Sequence, residues 1–89
     1  MGANDREITV YGTVWCPDCI RARRYLDSQS IDYRWVDISR DPAAAAYVER
    51  VNQGYRSVPT IVFADGAILV EPSTAELSRH LRQAGYQLA

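Results

Sequence analysis

Residues 8–11 read ITVY, a short run of apolar and β-branched positions closed by Gly12, and predict a buried strand. The period then changes. From Pro17 to about residue 29, Cys19, Ala22 and Leu26 recur at helical spacing, which predicts a helix with those three inward. Pro17 suits its first turn, where a missing N–H leaves no intrahelical bond unmade. Arg23 and Asp27, four residues apart, are expected to pair on the outer face. Alternation returns over 33–38 and predicts a second strand. Asp41-Pro42 is a helix start, the carboxylate capping and the proline entering the first turn, and Ala44, Val48 and Val51 keep one face apolar as far as Asn52, before Gly54.

Beyond that point the pattern is different. Residues 60–64 form an apolar strand, Asp65-Gly66 a tight-turn dipeptide and residues 67–70 a further strand, together a β-hairpin. Ser73-Thr74-Ala75-Glu76 fits a capping box, in which the serine and glutamate side chains each satisfy the other's unpaired backbone N–H. Leu77, Leu81 and Ala84 make the apolar stripe of a last helix ending near Gly85. The sum is βαβαββα, an α/β fold with a four-stranded mixed sheet: a right-handed crossover makes the first two strands parallel, and the hairpin makes the last two antiparallel.

Composition narrows the class of protein. With 89 residues, 47% hydrophobic and 24% charged, the chain is expected to form one globular domain over 1–89 with its core in about 8–85. All ten basic residues are arginine, and the net charge of -1 leaves no broad basic surface for nucleic acid. The N-terminal residues lack the apolar run of a signal peptide, and no stretch is long enough for a membrane span, so a cytoplasmic location is expected. Gly2 invites myristoylation, but Arg6 stands where that signal wants Ser or Thr.

The chemistry lies in VWCPDC, residues 14–19, which holds both cysteines, Cys16 and Cys19. A structural disulfide fits poorly: disulfide scaffolds are secreted and cysteine-dense, and so short a loop restrains the unfolded chain little. A metal site fits poorly too, because zinc takes four ligands and the only histidine, His80, lies on the last helix, where its spacing puts it at the surface. A redox pair fits the position. Cys-x-x-Cys between a strand and a helix sets the first sulfur beside unpaired N–H groups and the positive end of the helix dipole, which favour a thiolate. Cys16 is therefore the expected nucleophile. Cys19, one turn later and on the inner side, is the expected resolving thiol, attacking the Cys16 mixed disulfide and expelling the substrate thiol. Asp18 opposes the thiolate by its charge, and Arg21 can partly neutralise it. Trp15 offers a rigid aromatic platform beside Cys16, and the N–H groups at residues 73–75 can receive an anionic or polar group.

With that element order, Trp15-Cys16-Pro17-Asp18-Cys19 and Arg56-Ser57-Val58-Pro59-Thr60 resemble the glutaredoxins, within the thioredoxin-fold superfamily, over nearly the whole chain. Val14-Trp15-Cys16, Val51-Asn52-Gln53-Gly54 and Phe63-Ala64-Asp65-Gly66 are most similar to the actinobacterial mycoredoxins and, less closely, to the redoxins that serve ribonucleotide reductase. The resemblance implies a thiol-disulfide oxidoreductase with a cis Pro59 beside the cysteines and a Val58 backbone that pairs with substrate. It also implies contacts from Arg56 to a carboxylate of a low-molecular-weight thiol, with Trp15, Pro17, Ser57, Ser73 and Thr74 completing the expected binding set. No bound cofactor or metal is expected. The small thiol, mycothiol or glutathione, is the expected co-substrate, disulfide-containing proteins the partners, a small thiol or flavoprotein reductase the electron source, and a monomer the working form. Many glutathione-using members carry Tyr at the position of Asp18, a lysine shortly before the motif where Thr13-Val14 stand, and a Gly-rich acidic stretch in place of Glu71-Pro72-Ser73-Thr74. Two other roles share these features: a dedicated electron donor to ribonucleotide reductase, and an iron-sulfur cluster carrier.

Overall fold

Strands and helices alternate as β1 (Thr9–Gly12), α1 (Pro17–Ser28), β2 (Arg34–Asp37), α2 (Pro42–Val51), β3 (Thr60–Val62), β4 (Ile68–Val70) and α3 (Thr74–Gln83). This is the βαβαββα succession the pattern predicts. The computed structural model describes residues 7–89; Gly2 and Arg6, on which the lipidation argument turns, lie outside them. The sheet order is β2-β1-β3-β4, with β1 parallel to β2 and antiparallel to β3, and β3 antiparallel to β4. β1 is thus central, and Val10 stands between Trp35 and Ile61.

Alternation along β1 sends its residues to two different apolar layers. Val10 joins Ile8, Ala22, Leu26, Ile61, Leu77 and Leu81 on the face covered by α1 and α3. Tyr11 packs on the opposite face with Ile38, Ala44, Ala45 and Val48, under α2. Most of the inward stripes read from the spacing pack, with Cys19, Ala22 and Leu26 buried in α1, Ala44 and Val48 in α2, and Leu77 and Leu81 in α3, whereas Val51 and Ala84, at or beyond the helix ends, are only partly buried. The caps also match, with Asp41 accepting the Ala44 N–H at 3.0 Å and both halves of the Ser73–Glu76 box formed.

Three details differ from expectation. The hairpin turn is wider than Asp65-Gly66 alone: the Phe63 N–H donates to Ala67 O at 2.9 Å and the Gly66 N–H to Phe63 O at 2.9 Å, with Gly66 at φ 91°. The Asp65 carboxylate takes the Ala67 N–H at 2.9 Å, so residues 63 and 64 leave the strand early. Arg23 does not face outward to Asp27. Its guanidinium carbon lies 4.0 Å from the centre of a Trp35 ring and its Nε donates to the Tyr33 hydroxyl at 3.4 Å, because β2 offers an aromatic surface beside α1. His80 is not a surface group either. Its ring lies 4.3 Å from that of Phe63, centre to centre, and its Nε2 is buried without a hydrogen-bond partner.

Candidate active site

The turn from β1 into α1 delivers both sulfurs to the carboxyl end of the central strand. Cys16 has extended backbone and is the N-cap of α1, with Pro17 at the first helical position. Its Sγ accepts the Cys19 N–H at 3.1 Å, doing with sulfur what Ser or Asp does with oxygen at a helix start. Negative charge on that atom therefore meets an N–H and the positive end of the α1 dipole. Cys16 is half-buried, whereas Cys19 has no exposed surface. Burial, and next the hydrogen bond with Cys16, push the Cys19 thiol up to about 12, against the backbone of Thr13, which pulls it down. At neutral pH Cys19 is a protonated, enclosed thiol, and Cys16 is the sulfur that a substrate can reach.

A second loop closes over the pair. The Val58–Pro59 peptide bond is cis, Pro59 is buried, and the Val58 carbonyl oxygen is 3.9 Å from Cys16 Sγ. Thr60 and Asn52 hold this loop. The Thr60 hydroxyl donates to Ser57 O at 2.7 Å, and the Asn52 amide donates to that hydroxyl at 3.2 Å and to Val48 O at 2.9 Å. Neither residue is in the binding set expected from sequence, although both stand in stretches that carry the family resemblance.

The other expected binding residues differ in exposure and in their partners. Trp15 is 67% exposed beside Cys16, with Val14 and Tyr55 also exposed. Arg56 is engaged within its own region: its Nε donates to the Glu49 carboxylate of α2 at 2.5 Å, so a ligand carboxylate meets a guanidinium that already has a partner. Ser73 is likewise occupied, its N–H donating to the Glu76 carboxylate at 2.8 Å and its Oγ accepting the Glu76 N–H at 3.0 Å, while Thr74 opens the helix. The capping bonds hold the Glu76 carboxyl below its usual range. Asp18 is tied to Arg21 at 2.8 Å, as expected. Among the described residues no three His, Cys, Asp or Glu side chains gather to hold a metal ion.

Gly12 is the neighbour of the sulfurs that the sequence does not flag. A methyl group in place of its hydrogen would lie 2.6 Å from Cys19 Sγ and 2.9 Å from Cη2 of Trp35. The available signal is a glycine ending a strand just before the motif, a common mark of close approach.

Comparison with known proteins agrees with this geometry. The glutaredoxin family model matches residues 8–68. A Mycobacterium tuberculosis protein carrying the glutaredoxin name, Rv3198A, is 45% identical over 74 residues, covering 83% of this chain and 88% of that one. Mycoredoxin 1 of Corynebacterium glutamicum is 39% identical over 70 residues, covering 79% and 86%. In three dimensions the thioredoxin-like protein BC3987 superposes with a TM-score of 0.71 at 28% identity, over 81% of this chain and 96% of that one.

Proposed function

From the premise that the chain belongs to the glutaredoxin family, whose members are thiol-disulfide oxidoreductases, we propose that it reduces protein disulfides and mixed disulfides of a small thiol in the cytoplasm, with mycothiol as co-substrate. Cys16 attacks a sulfur of the substrate disulfide, forming a mixed disulfide and releasing the first thiolate. Cys19 then gives up its proton and attacks Cys16 Sγ. The bond between Cys16 and the substrate sulfur breaks, the proton ends on the departing thiolate through solvent, and the Cys16–Cys19 disulfide remains. Substrate has been reduced by two electrons and the pair oxidised by two. A small thiol or a flavoprotein reductase returns them. In the monothiol route Cys16 alone exchanges with the small thiol.

The observation that carries this reading is the inequality of the sulfurs: Cys16 is reachable and takes the Cys19 N–H at 3.1 Å, while Cys19 is enclosed and protonated. Mycothiol is favoured over glutathione by Asp18, by Thr13-Val14 and by the Glu71-Pro72-Ser73-Thr74 entry to α3, and by the similarity to a protein named mycoredoxin. In the bound state Trp15 and Pro17 flank the exchanging sulfurs, the Val58 backbone pairs with a protein substrate's peptide beside Pro59, and Arg56, Ser57, Ser73 and Thr74 surround the polar end of the small thiol.

The test is to mix the oxidised protein in parallel with mycothiol, glutathione and thioredoxin reductase and follow its reduction. Fastest reduction by mycothiol is expected. Rapid reduction by thioredoxin reductase with slow reaction toward both small thiols would instead identify a dedicated electron donor, and a brown dimer on anaerobic purification would identify a cluster carrier.

A further inference from the structure

Gly12 sits in the central strand with no side chain, and its φ is not among the positive ones, so backbone conformation does not require glycine there. Space does. The position that a Cβ would occupy is 2.6 Å from Cys19 Sγ and 2.9 and 3.0 Å from Cη2 and Cζ3 of Trp35. Real Cβ atoms do not tolerate such approaches, so the sulfur and the indole edge already fill the room between them. The Trp35 ring is in turn backed by the Arg23 guanidinium, 4.0 Å from its centre, and Arg23 stands one helical turn beyond Cys19 in α1. The sulfur thus lies against Gly12, with the Trp35 edge bordering the same space, and on its own helix the Cys19 N–H is fixed to Cys16 Sγ.

We propose that Gly12 and Trp35 are positioning residues for the resolving step: together they form a seat that keeps Cys19 Sγ aimed at Cys16 Sγ, so that the mixed disulfide is resolved rapidly. This rests on the proposed role of Cys19. The step they act on is the attack of Cys19, with loss of its proton, on Cys16 Sγ and departure of the substrate thiolate. They take no part in the first attack, which belongs to Cys16. Displacing a reacting atom by about 1 Å can cost on the order of 100-fold in rate, and a methyl group at residue 12 demands a shift of the sulfur, the indole or the strand. Trp35→Ala does the reverse, opening the seat so that the sulfur can turn away and water can reach it.

The experiment loads Cys16 with a chromophoric aromatic thiol and follows its release, alongside monothiol exchange measured in a Cys19→Ser background. Gly12→Ala is expected to slow release by about 10- to 100-fold while exchange by Cys16 proceeds as without it. Should Gly12→Ala fold poorly, Trp35→Ala supplies the second arm: slower release, and a pH profile of release whose rise moves to lower pH as solvent enters. A merely structural role would lower both reactions together and leave the profile in place. That result, or release at the parental rate in both variants, overturns the seat. If instead release from the parental protein is no faster than from Cys19→Ser, the resolving role itself is wrong and the proposal falls with it.

Discussion

The two sulfurs are three residues apart and chemically unlike. Cys16 occupies a cap with an N–H aimed at it, and Cys19 is sealed beneath. Cys16→Ser is therefore expected to abolish reductase activity in a coupled turnover assay. Cys19→Ser should accumulate a covalent adduct, visible by intact mass, and retain monothiol exchange. The raised Cys19 thiol has a thermodynamic counterpart. The folded chain keeps a proton up to about pH 12 that an ordinary thiol releases near 9.0, so the unfolded state binds fewer protons between these values. Stability of the reduced protein should hold below pH 9 and fall as pH rises through that window. Tyr11, raised first by burial and then by Tyr47, adds to the same fall. Denaturant midpoints measured across the window should decline less steeply in Cys19→Ala. The unlike surroundings of Cys16 and Cys19, one at a helix cap and one a turn further in, are readable from six consecutive letters because a helix start sets them locally. The meeting of Gly12 and Trp35 is not so readable, since it depends on β1 pairing with β2, which carries the Trp35 ring to the place a Cβ of residue 12 would take.

At the level of elements, the caps carry the information about where helices begin. Asp41 and Ser73 each satisfy an N–H that the helix leaves open. Replacing Ser73 by Ala should cost about 1 kcal/mol, read as a lower denaturant midpoint. Glu76 loses its reciprocal partner only in part, since its carboxylate bonds to the backbone of residue 73. Helix limits were within reach of sequence reasoning because caps are short-range. The strand ends were less so: residues 63 and 64, apolar in sequence, belong to a turn stitched by hydrogen bonds between Phe63, Gly66 and Ala67. Arg23 and His80 show the same limit. Spacing gives the side of a helix, but β2 and Phe63 decide what waits there.

For the molecule as a whole, a four-stranded sheet is clamped between α1 and α3 on one face and α2 on the other. That class follows from the order of periodicities, because a parallel crossover and a terminal hairpin leave few arrangements. In so small a protein each buried side chain is a large fraction of net stability. Leu26, fully buried under the sheet, should cost about 2 to 5 kcal/mol on conversion to Ala, against a total of about 5 to 15. Thermal or chemical unfolding of Leu26→Ala checks it.

Trp15 and Trp35, the chain's two tryptophans, stand in different surroundings, one two-thirds in solvent at the mouth of the site and the other partly buried against the core, its edge facing Gly12 near the enclosed sulfur. Their emission bands should therefore separate, the first red and the second blue. A partner that covers the mouth dims the red band, and a change of bonding at the inner sulfur alters the blue one. The molecule carries its own optical record of when it is touched and when its electrons move.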